Sequence, residues 1–510
     1  MAVPEEIRNV ERPTNTVVVQ RGGGPRRYAV VERIGCKRVD GRNVPVNGYT
    51  VGHIIDGAFV ALADPVGRRK AEIKDWADIV LVDRVSRPLL DDLMGVYDAV
   101  DAMRIYVTAL LRVCHPGVRD YMLDHHYRLG WASTLFPGLP MSKNSVSTFL
   151  KALGTSYSLI VKFMRARVET MVDGGLVAID STLKTDNSCV NSLASYSRKA
   201  RVKGSEDITV VFAYDVEERE PVCSKVFAGN VVDSVGYRRF LQENGLTRAV
   251  VMTDKGFSKK AARQAFEASP DLHWLHPIKR DDKRIAQFAL HSYEGMLLDK
   301  SRDVLYRKVH AGDHWLYSFY DRRWAAKEEA DYFARAKDKG YEPEALDKKG
   351  MRFGTIAFES DLDADALAIY KMYDERWLIE QCFRYYKNVT DFDDTGVHSD
   401  QSVYGSEFVN FIASVMTARL IKCLDGAGLF SKLTYNEIMA MLSAAKKVDT
   451  NGDGGWELVQ TTKATEETLV RLELLPKPEQ PPRRKPGRPR KEVDPNVPKR
   501  KPGRPRKNPS

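Results

Sequence analysis

Two short apolar runs constrain the fold of this chain most. GGLVAID closes on Asp180, and RAVVMTD closes on Asp254. Each is a β-branched stretch that stops at a carboxylate, the pattern of a buried strand in an α/β sheet. Ser181 and Thr182 follow the first aspartate; Lys255, Gly256 and Phe257 follow the second. In open sheets, ligands sit beyond strand ends. A lone strand-end aspartate is more commonly a turn former or a helix N-cap. The two gain meaning only with a third partner.

Residues 373–387, YDERWLIEQCFRYYK, supply that partner. Tyr373, Arg376, Glu380 and Lys387 are spaced Y-x-x-R-x-x-x-E-x-x-x-x-x-x-K. At roughly 100° per residue, one continuous helix brings these four side chains within about a 60° arc. Trp377, Leu378, Ile379, Cys382 and Phe383 supply the apolar neighbours. The ordinary alternative is a surface helix whose Arg376–Glu380 pair contributes a few tenths of a kcal/mol. With Asp180 and Asp254 the glutamate completes an all-oxygen, three-carboxylate set, which suits Mg²⁺ or Mn²⁺ rather than zinc.

These pieces together resemble the DDE transposases of bacterial insertion sequences, in the subgroup with a Tyr-Arg-Glu-Lys signature around the catalytic glutamate. The matching segments are AIDST at 178–182, TDKGF at 253–257, and the spaced Tyr373, Arg376, Glu380 and Lys387. The resemblance covers roughly residues 170–425. It implies an α/β, ribonuclease-H-like catalytic core over 171–280 and 361–445, with Asp180, Asp254 and Glu380 as catalytic residues and as ligands of two Mg²⁺ (or Mn²⁺) ions. The interval of 126 residues (380 − 254) is long for a compact core. In this subgroup a β-rich insertion fills it, and 281–360 is assigned to that insertion. The resemblance further implies metal-dependent cleavage and strand transfer at the ends of an insertion sequence. Arg376 and Lys387 would hold DNA phosphates, and Tyr373 would contact a phosphate or stack near an extruded base. Partners implied are double-stranded DNA, as element ends and as target, and a second copy of the chain when assembled on DNA. Two alternatives share these residues: a structure-selective nuclease of the same core, and a non-catalytic A·T-rich-DNA-binding derivative.

The charge distribution points to DNA independently. The net charge is +10, yet residues 481–510 hold 12 basic and two acidic residues, also +10, so the other 480 residues sum to zero (67 − 67). Within that tail RKPGRPRK occurs at 484–491 and again at 500–507. Its Gly-Arg-Pro cores, Gly487, Arg488, Pro489 and Gly503, Arg504, Pro505, resemble tandem AT-hooks. A narrow A·T minor groove concentrates negative potential and attracts arginine, and glycine removes the bulk that would block entry. A generic polyanion-binding tail is the alternative. The tail cannot form a packed core and is predicted to be disordered when free.

The remaining chain is read more coarsely. A length of 510 residues, 43% hydrophobic, allows a large core and several domains. Six cysteines without a C-x-x-C pair suggest neither a zinc knuckle nor a disulfide framework. No apolar run of about 18 residues argues for a membrane span, and the N-terminus lacks the apolar core of a signal peptide. A cytoplasmic, nucleoid-associated protein is expected. Residues 1–25 read as loose and 26–170 as an N-terminal DNA-binding region. Within it, 26–85 is a small β-rich unit and 86–135 is helical. SVSTFLKALG, at 145–154, is either half of a helix-turn-helix or, more commonly, part of a plain helical hairpin. Two flanking readings are minor: His273 and His276, three apart on a strand, make a poor metal pair, and Lys279 either approaches DNA or is solvated. Residues 446–480 read as linker.

Overall fold

The computed structural model describes residues 3–39, 42–62, 71–172, 174–186, 190–196, 206–230, 233–252, 266–298, 303–339, 352–392 and 394–477, together with Glu344, Leu346 and Gly350. Asp254 and the whole 481–510 tail, including Gly487, Arg488, Pro489, Gly503, Arg504 and Pro505, lie outside these residues.

The N-terminal unit is an antiparallel sheet of four strands in sequential order: β1 (Thr16–Gln20), β2 (Tyr28–Val39), β3 (Arg42–Ile55) and β4 (Ala58–Ala61). Val18, Tyr28, Val30 and Ile54 form its own small apolar cluster. The expected β-rich unit therefore begins inside the segment read as loose, because β1 pairs along Thr16–Gln20 with β2. It also ends sooner than expected. After β5 (Glu72–Asp75), helix α1 runs over Ala77–Met94. Its WADIVLVDRV start has the β-branched look of a strand. Ile79, Leu81 and Val82 are all fully buried, so the run is apolar because it is enclosed, not because it is pleated.

Helices α2 (Ala99–Cys114), α3 (Lys143–Thr155) and α4 (Tyr157–Glu169) follow. The α3 segment holds the SVSTFLKALG sequence and packs on a long later helix through two glycines. A Cβ on Gly154 would stand 1.8 Å from the Gln401 carbonyl oxygen, and one on Gly405 would stand 2.0 Å from that of Leu150. Backbones this close admit no side chain. Helix α3 thus packs one face on that helix, while Lys143, Asn144, Ser147, Thr148 and Lys151 stay exposed on the other.

The large sheet contains β6 (Leu176–Asp186) with neighbours on both edges. On one side lie β7 (Ser195–Tyr196), β8 (Glu206–Asp215) and β9 (Glu220–Ala228), with β6, β8 and β9 antiparallel in turn. Helix α5 (Asp233–Asn244) then crosses to β10 (Ala249–Met252), which runs parallel to β6, and β11 (Leu272–Ile278) runs parallel to β10. The segment read as a β-rich insertion supplies β12 (Gly295–Met296), β13 (Val304–His310), β14 (Trp315–Asp321), helix α6 (Arg322–Lys339) and β15 (Thr355–Ser360). It is no separate layer. Strand β15 pairs antiparallel with β11, so the insertion extends the same sheet at its edge.

The C-terminal part comprises α7 (Ala366–Asp374), α8 (Trp377–Arg384), a short β16 (Asp394–Thr395) parallel to the far end of β6, and the 27-residue α9 (Asp400–Gly426). Helix α9 is apolar on nearly every side and packs against α1, α2, α3 and β9. Helix α10 (Tyr435–Ala444) follows, and the segment after it, expected to be linker, is folded. Strand β17 (Lys446–Asp449) pairs with β5, β18 (Glu457–Leu458) pairs with β17, and α11 (Lys463–Arg471) sets Leu469 into the core at 0% exposure. Described residues 446–477 are therefore part of the folded body. One apolar cluster runs from Trp76 to Leu472.

Candidate active site

Strand β6 emerges from the core at Asp180. Leu176 to Ile179 are buried, and Asp180 to Leu183 are partly open. The strand does not end there, as the apolar run suggested. It continues to Asp186, pairing with β8 from Val177↔Asp215 to Thr185↔Asp207. What ends is its other neighbour. Strand β10 pairs with Leu176, Val177 and Ala178 only, and β16 takes over at Thr185 and Asp186. Among the described residues, this edge of β6 is thus unladdered between 178 and 185, which makes a notch in the sheet with Asp180 in it. The Ser181 amide donates to Asp180 Oδ1 at 2.7 Å. The register pairs Met252 with Ala178, and each stands two residues before one of the two aspartates.

The expected single helix over 373–387 is instead three pieces. Helix α7 carries Tyr373 and ends at Asp374; Arg376 is the N-cap of α8; Glu380 lies in its first turn; Tyr385–Val389 form a π-turn that carries Lys387. Tight three-residue bonds bridge the first junction, from the Arg376 amide to Tyr373 O at 3.0 Å and from the Leu378 amide to Glu375 O at 3.0 Å. Beyond it, the Thr390 amide bonds Tyr385 O, five residues back, at 2.9 Å. Over-winding at one end and under-winding at the other bend the stripe that an ideal period would give.

The stripe survives for three of its four members. Arg376 Nη2 donates to Glu380 Oε1 at 2.5 Å, and the Arg376 guanidinium lies 5.8 Å from the centre of the Tyr373 ring. Burial pulls the Arg376 pKa down, but Glu380, Tyr373 and Asp180 together hold it above the ordinary arginine value. Helix α8 packs against β6, so the notch with Asp180 and the first turn with Glu380 belong to neighbouring elements. Burial raises the Tyr373 phenol, whose ring rests 4.6 Å from that of Phe358 on β15. Lys387 departs from the stripe: its ammonium donates to Leu183 O at 2.6 Å, inside the β6 notch. On the opposite face of α8, Ile379 and Phe383 are buried, and Phe383 meets the Phe212 ring of β8 at 5.5 Å. Trp377 stays 48% exposed.

Below the notch lies a feature that sequence reading missed. Lys184 Nζ donates to Glu407 Oε1 at 2.6 Å, with both side chains only 3% exposed. The Tyr386 hydroxyl donates to the other Glu407 oxygen, and Asn410 Nδ2 donates to Oε1 at 3.1 Å. Arg112 extends the chain, donating to Asn410 Oδ1 at 2.8 Å and Asp120 Oδ1 at 2.9 Å. Burial, then the Glu407 charge, pushes the Tyr386 hydroxyl well up. This network ties α2, β6, the π-turn and α9 together. The only sequence signal was a glutamate inside a largely apolar helix.

Among the described residues, no three or more His, Cys, Asp or Glu side chains form a group that could hold a metal. His273 bonds Asp361 at 3.0 Å, while His276 is buried. No described helix is long and apolar enough to cross a membrane.

Comparison with known proteins gives this arrangement its class. Residues 172–416 match the family described as the transposase DDE domain. That span contains Asp180, Asp254 and Glu380. The chain carries a transposase DDE domain and is an enzyme of the DDE transposase type. Among solved structures it is similar to a piggyBac transposase synaptic complex with hairpin DNA, at 10% identity and TM-score 0.38, covering 68% of this chain and 70% of that one. It is also similar to a Mos1 transposase paired-end complex with the left transposon end, at 12% identity and TM-score 0.15, covering 31% and 58%. No curated protein matches the sequence.

Proposed function

We propose that this enzyme cleaves DNA at the ends of an insertion sequence and joins the freed ends to target DNA. Asp180, Asp254 and Glu380 would be its catalytic carboxylates. The observation that carries the reading is geometric: Asp180 lies in the open notch of β6, Lys387 bonds Leu183 O in that same notch, and α8, with Glu380 on its first turn, packs against β6. The sheet order β9-β8-β6-β10-β11, antiparallel and then parallel, supports a ribonuclease-H-like core.

An all-carboxylate donor set fits Mg²⁺ or Mn²⁺. When bound, two such ions would supply activation of the attacking oxygen and stabilisation of the leaving one. The chain's own groups do the rest. Arg376, bonded to Glu380, would hold a phosphate oxygen. Tyr373 offers a ring and a phenol beside it. Lys387 fixes the notch by holding Leu183 O and would bring its positive charge to a DNA phosphate there. The tail, through Gly487, Arg488, Pro489 and Gly503, Arg504, Pro505, would grip A·T-rich minor grooves and hold the protein near the nucleoid in the cytoplasm, and a homodimer would assemble on the two ends.

The test is incubation of the full chain with Mg²⁺ and a duplex bearing the inverted repeats that flank its reading frame. Cutting at the repeat termini followed by joining is expected. Cutting without any joining would convert the reading to a structure-selective nuclease, and neither would overturn it.

A further inference from the structure

The N-terminal sheet has a part that nothing in the sheet supports. Strand β1 pairs with β2 only over Tyr28–Glu32, and β4 pairs with β3 only over Gly52–Ile55. Beyond those points β2 and β3 continue as a two-stranded ribbon, pairing from Arg33↔Asn47 to Val39↔Arg42, with the Arg33 amide at its base still donating to Asn15 O at 2.9 Å. Among the described residues no third strand covers it. An isolated two-stranded ribbon is marginal in water, so one that projects about 20 Å, at about 3.3 Å per residue, is expected to have an occupant.

Its chemistry selects that occupant. Residues 16–61 hold seven Lys or Arg against three Asp or Glu, a net of +4 (7 − 3). Residues 1–480 sum to zero, so the rest of that span is −4. The cations are Arg21, Arg26, Arg27, Arg33, Lys37, Arg38 and Arg42. The last four sit at the ribbon's register positions. Arg33 and Asn47, paired where the ribbon leaves the sheet, are exposed, and Tyr49 beside them is 84% exposed. Register shifts between Val30 and Gly35 mark bulges at this departure point. Bulges sharpen right-handed twist and re-aim a strand pair, and two-stranded ribbons already twist more than wide sheets. A twisted, cationic, two-stranded ribbon is one of the two protein shapes that fit a B-DNA major groove about 12 Å wide.

We propose that the β2–β3 ribbon is a double-stranded-DNA contact that enters the major groove, with Arg33, Lys37, Arg38 and Arg42 as its cations. The inference rests on the transposase reading and adds to it which part of the chain engages duplex ahead of the chemistry.

The experiment uses the full chain carrying Arg33→Gln, Lys37→Gln, Arg38→Gln and Arg42→Gln together. A second variant replaces the three arginines by lysine. The probe is a mixed-sequence duplex of about 30 base pairs, three helical turns. Affinity is read by fluorescence anisotropy at about 50 and about 200 mM salt, and guanine-N7 methylation interference reports the major groove. The glutamine variant is expected to bind roughly tenfold or more weakly at low salt and to lose the N7 interference. Its salt slope should be shallower by roughly 0.9 for each phosphate that is no longer neutralised. The lysine variant should recover affinity. Unchanged N7 interference in the glutamine variant, or equal loss on single-stranded probe, overturns the proposal. If the lysine variant also fails although circular dichroism shows both variants folded, charge is not the cause and the proposal is overturned as well. Asp180→Asn, assayed alongside, separates the two readings: it should bind as wild type and not cleave. Cleavage by that variant would sink the active-site assignment and leave the ribbon untouched.

Discussion

Four residues apart on β6, two charged clusters follow opposite rules. At Asp180 the strand leaves its parallel neighbour, the side chains are partly open, and the counter-charges come from a fractured helix. At Lys184 the same strand is enclosed. Its ammonium faces Glu407 with both side chains 3% exposed, and each partner is further bonded. A buried ion pair contributes little net stability, because desolvation offsets attraction, but removing one member leaves a stranded charge. An open carboxylate can exchange its arginine for a metal ion, and the released guanidinium can take a phosphate. One end of β6 is thus built to change partners, and the other is built not to.

The sharpest break of that comparison is a pair of substitutions at the open end. Asp180→Ala and Glu380→Ala should each abolish Mg²⁺-dependent strand cleavage while leaving the thermal midpoint and duplex affinity near wild type. A cleavage rate close to wild type in either would mean that the notch is not the catalytic centre. At the closed end the outcome should invert. Glu407→Ala should destabilise the fold by about 3–5 kcal/mol, read by denaturant unfolding, because Lys184 is left charged and unpaired. Replacing both, Lys184→Met with Glu407→Leu, should restore much of that loss. If the double variant is no better than the single, the pair is doing more than neutralising itself.

Between the two lies the signature helix. Arg376→Ala removes an ion pair whose members are 25% and 52% exposed, so its cost in stability should be only a few tenths of a kcal/mol. Its cost in chemistry should be larger, about 1.5–3 kcal/mol, if the guanidinium holds a phosphate oxygen. Lys387→Ala should split differently, because its ammonium also holds Leu183 O. A measurable loss of stability is expected alongside slower cleavage. Identical behaviour of the two variants would erase the distinction between the three-member stripe and the lysine that leaves it.

How much of this was legible in the sequence follows the same division. Residues meant to be exposed to ligand announce themselves: Asp180 interrupts an apolar run, and the Tyr373–Arg376–Glu380 spacing survives the helix break because a tight junction keeps neighbours three and four apart in contact. The break itself was not legible, since no glycine or proline marks 374–389. Nor was the length of β6. After Asp180 its sequence STLKTD turns polar, which reads as a strand end, whereas the polar side chains serve the notch and the buried network. The folded 446–477 segment was missed for another reason. Strand β17 is four residues long and is a strand only because β5, some 370 residues earlier, pairs with it. The first turns of α1, at 77–85, were read into the β-rich unit because Ala77 to Asp83 are almost continuously buried, which hides the helical period until Arg84.

The smallest expected effect comes from the tail, and it serves as a control for both ends of β6. Residues 481–510 offer two valines among prolines and cations, so they have little to contribute to a core. Deleting them should leave both the thermal midpoint and Mg²⁺-dependent cleavage of a saturating short duplex unchanged. What should change is binding. General affinity should fall and its salt dependence flatten, because phosphate-contacting cations set that slope. The loss should be larger on A·T-rich than on G·C-rich duplex if the Gly-Arg-Pro cores read a narrow minor groove. Arg488→Ala with Arg504→Ala removes only two of the tail's 12 cations. It should nevertheless reproduce most of the lost A·T preference while sparing most of the salt slope. Titration of matched A·T and G·C duplexes at two salt concentrations separates the two quantities. A double variant that keeps its A·T preference would reduce the repeat to a basic tether, and one that also cleaves more slowly at saturation would show that the tail reaches the chemistry of β6 after all.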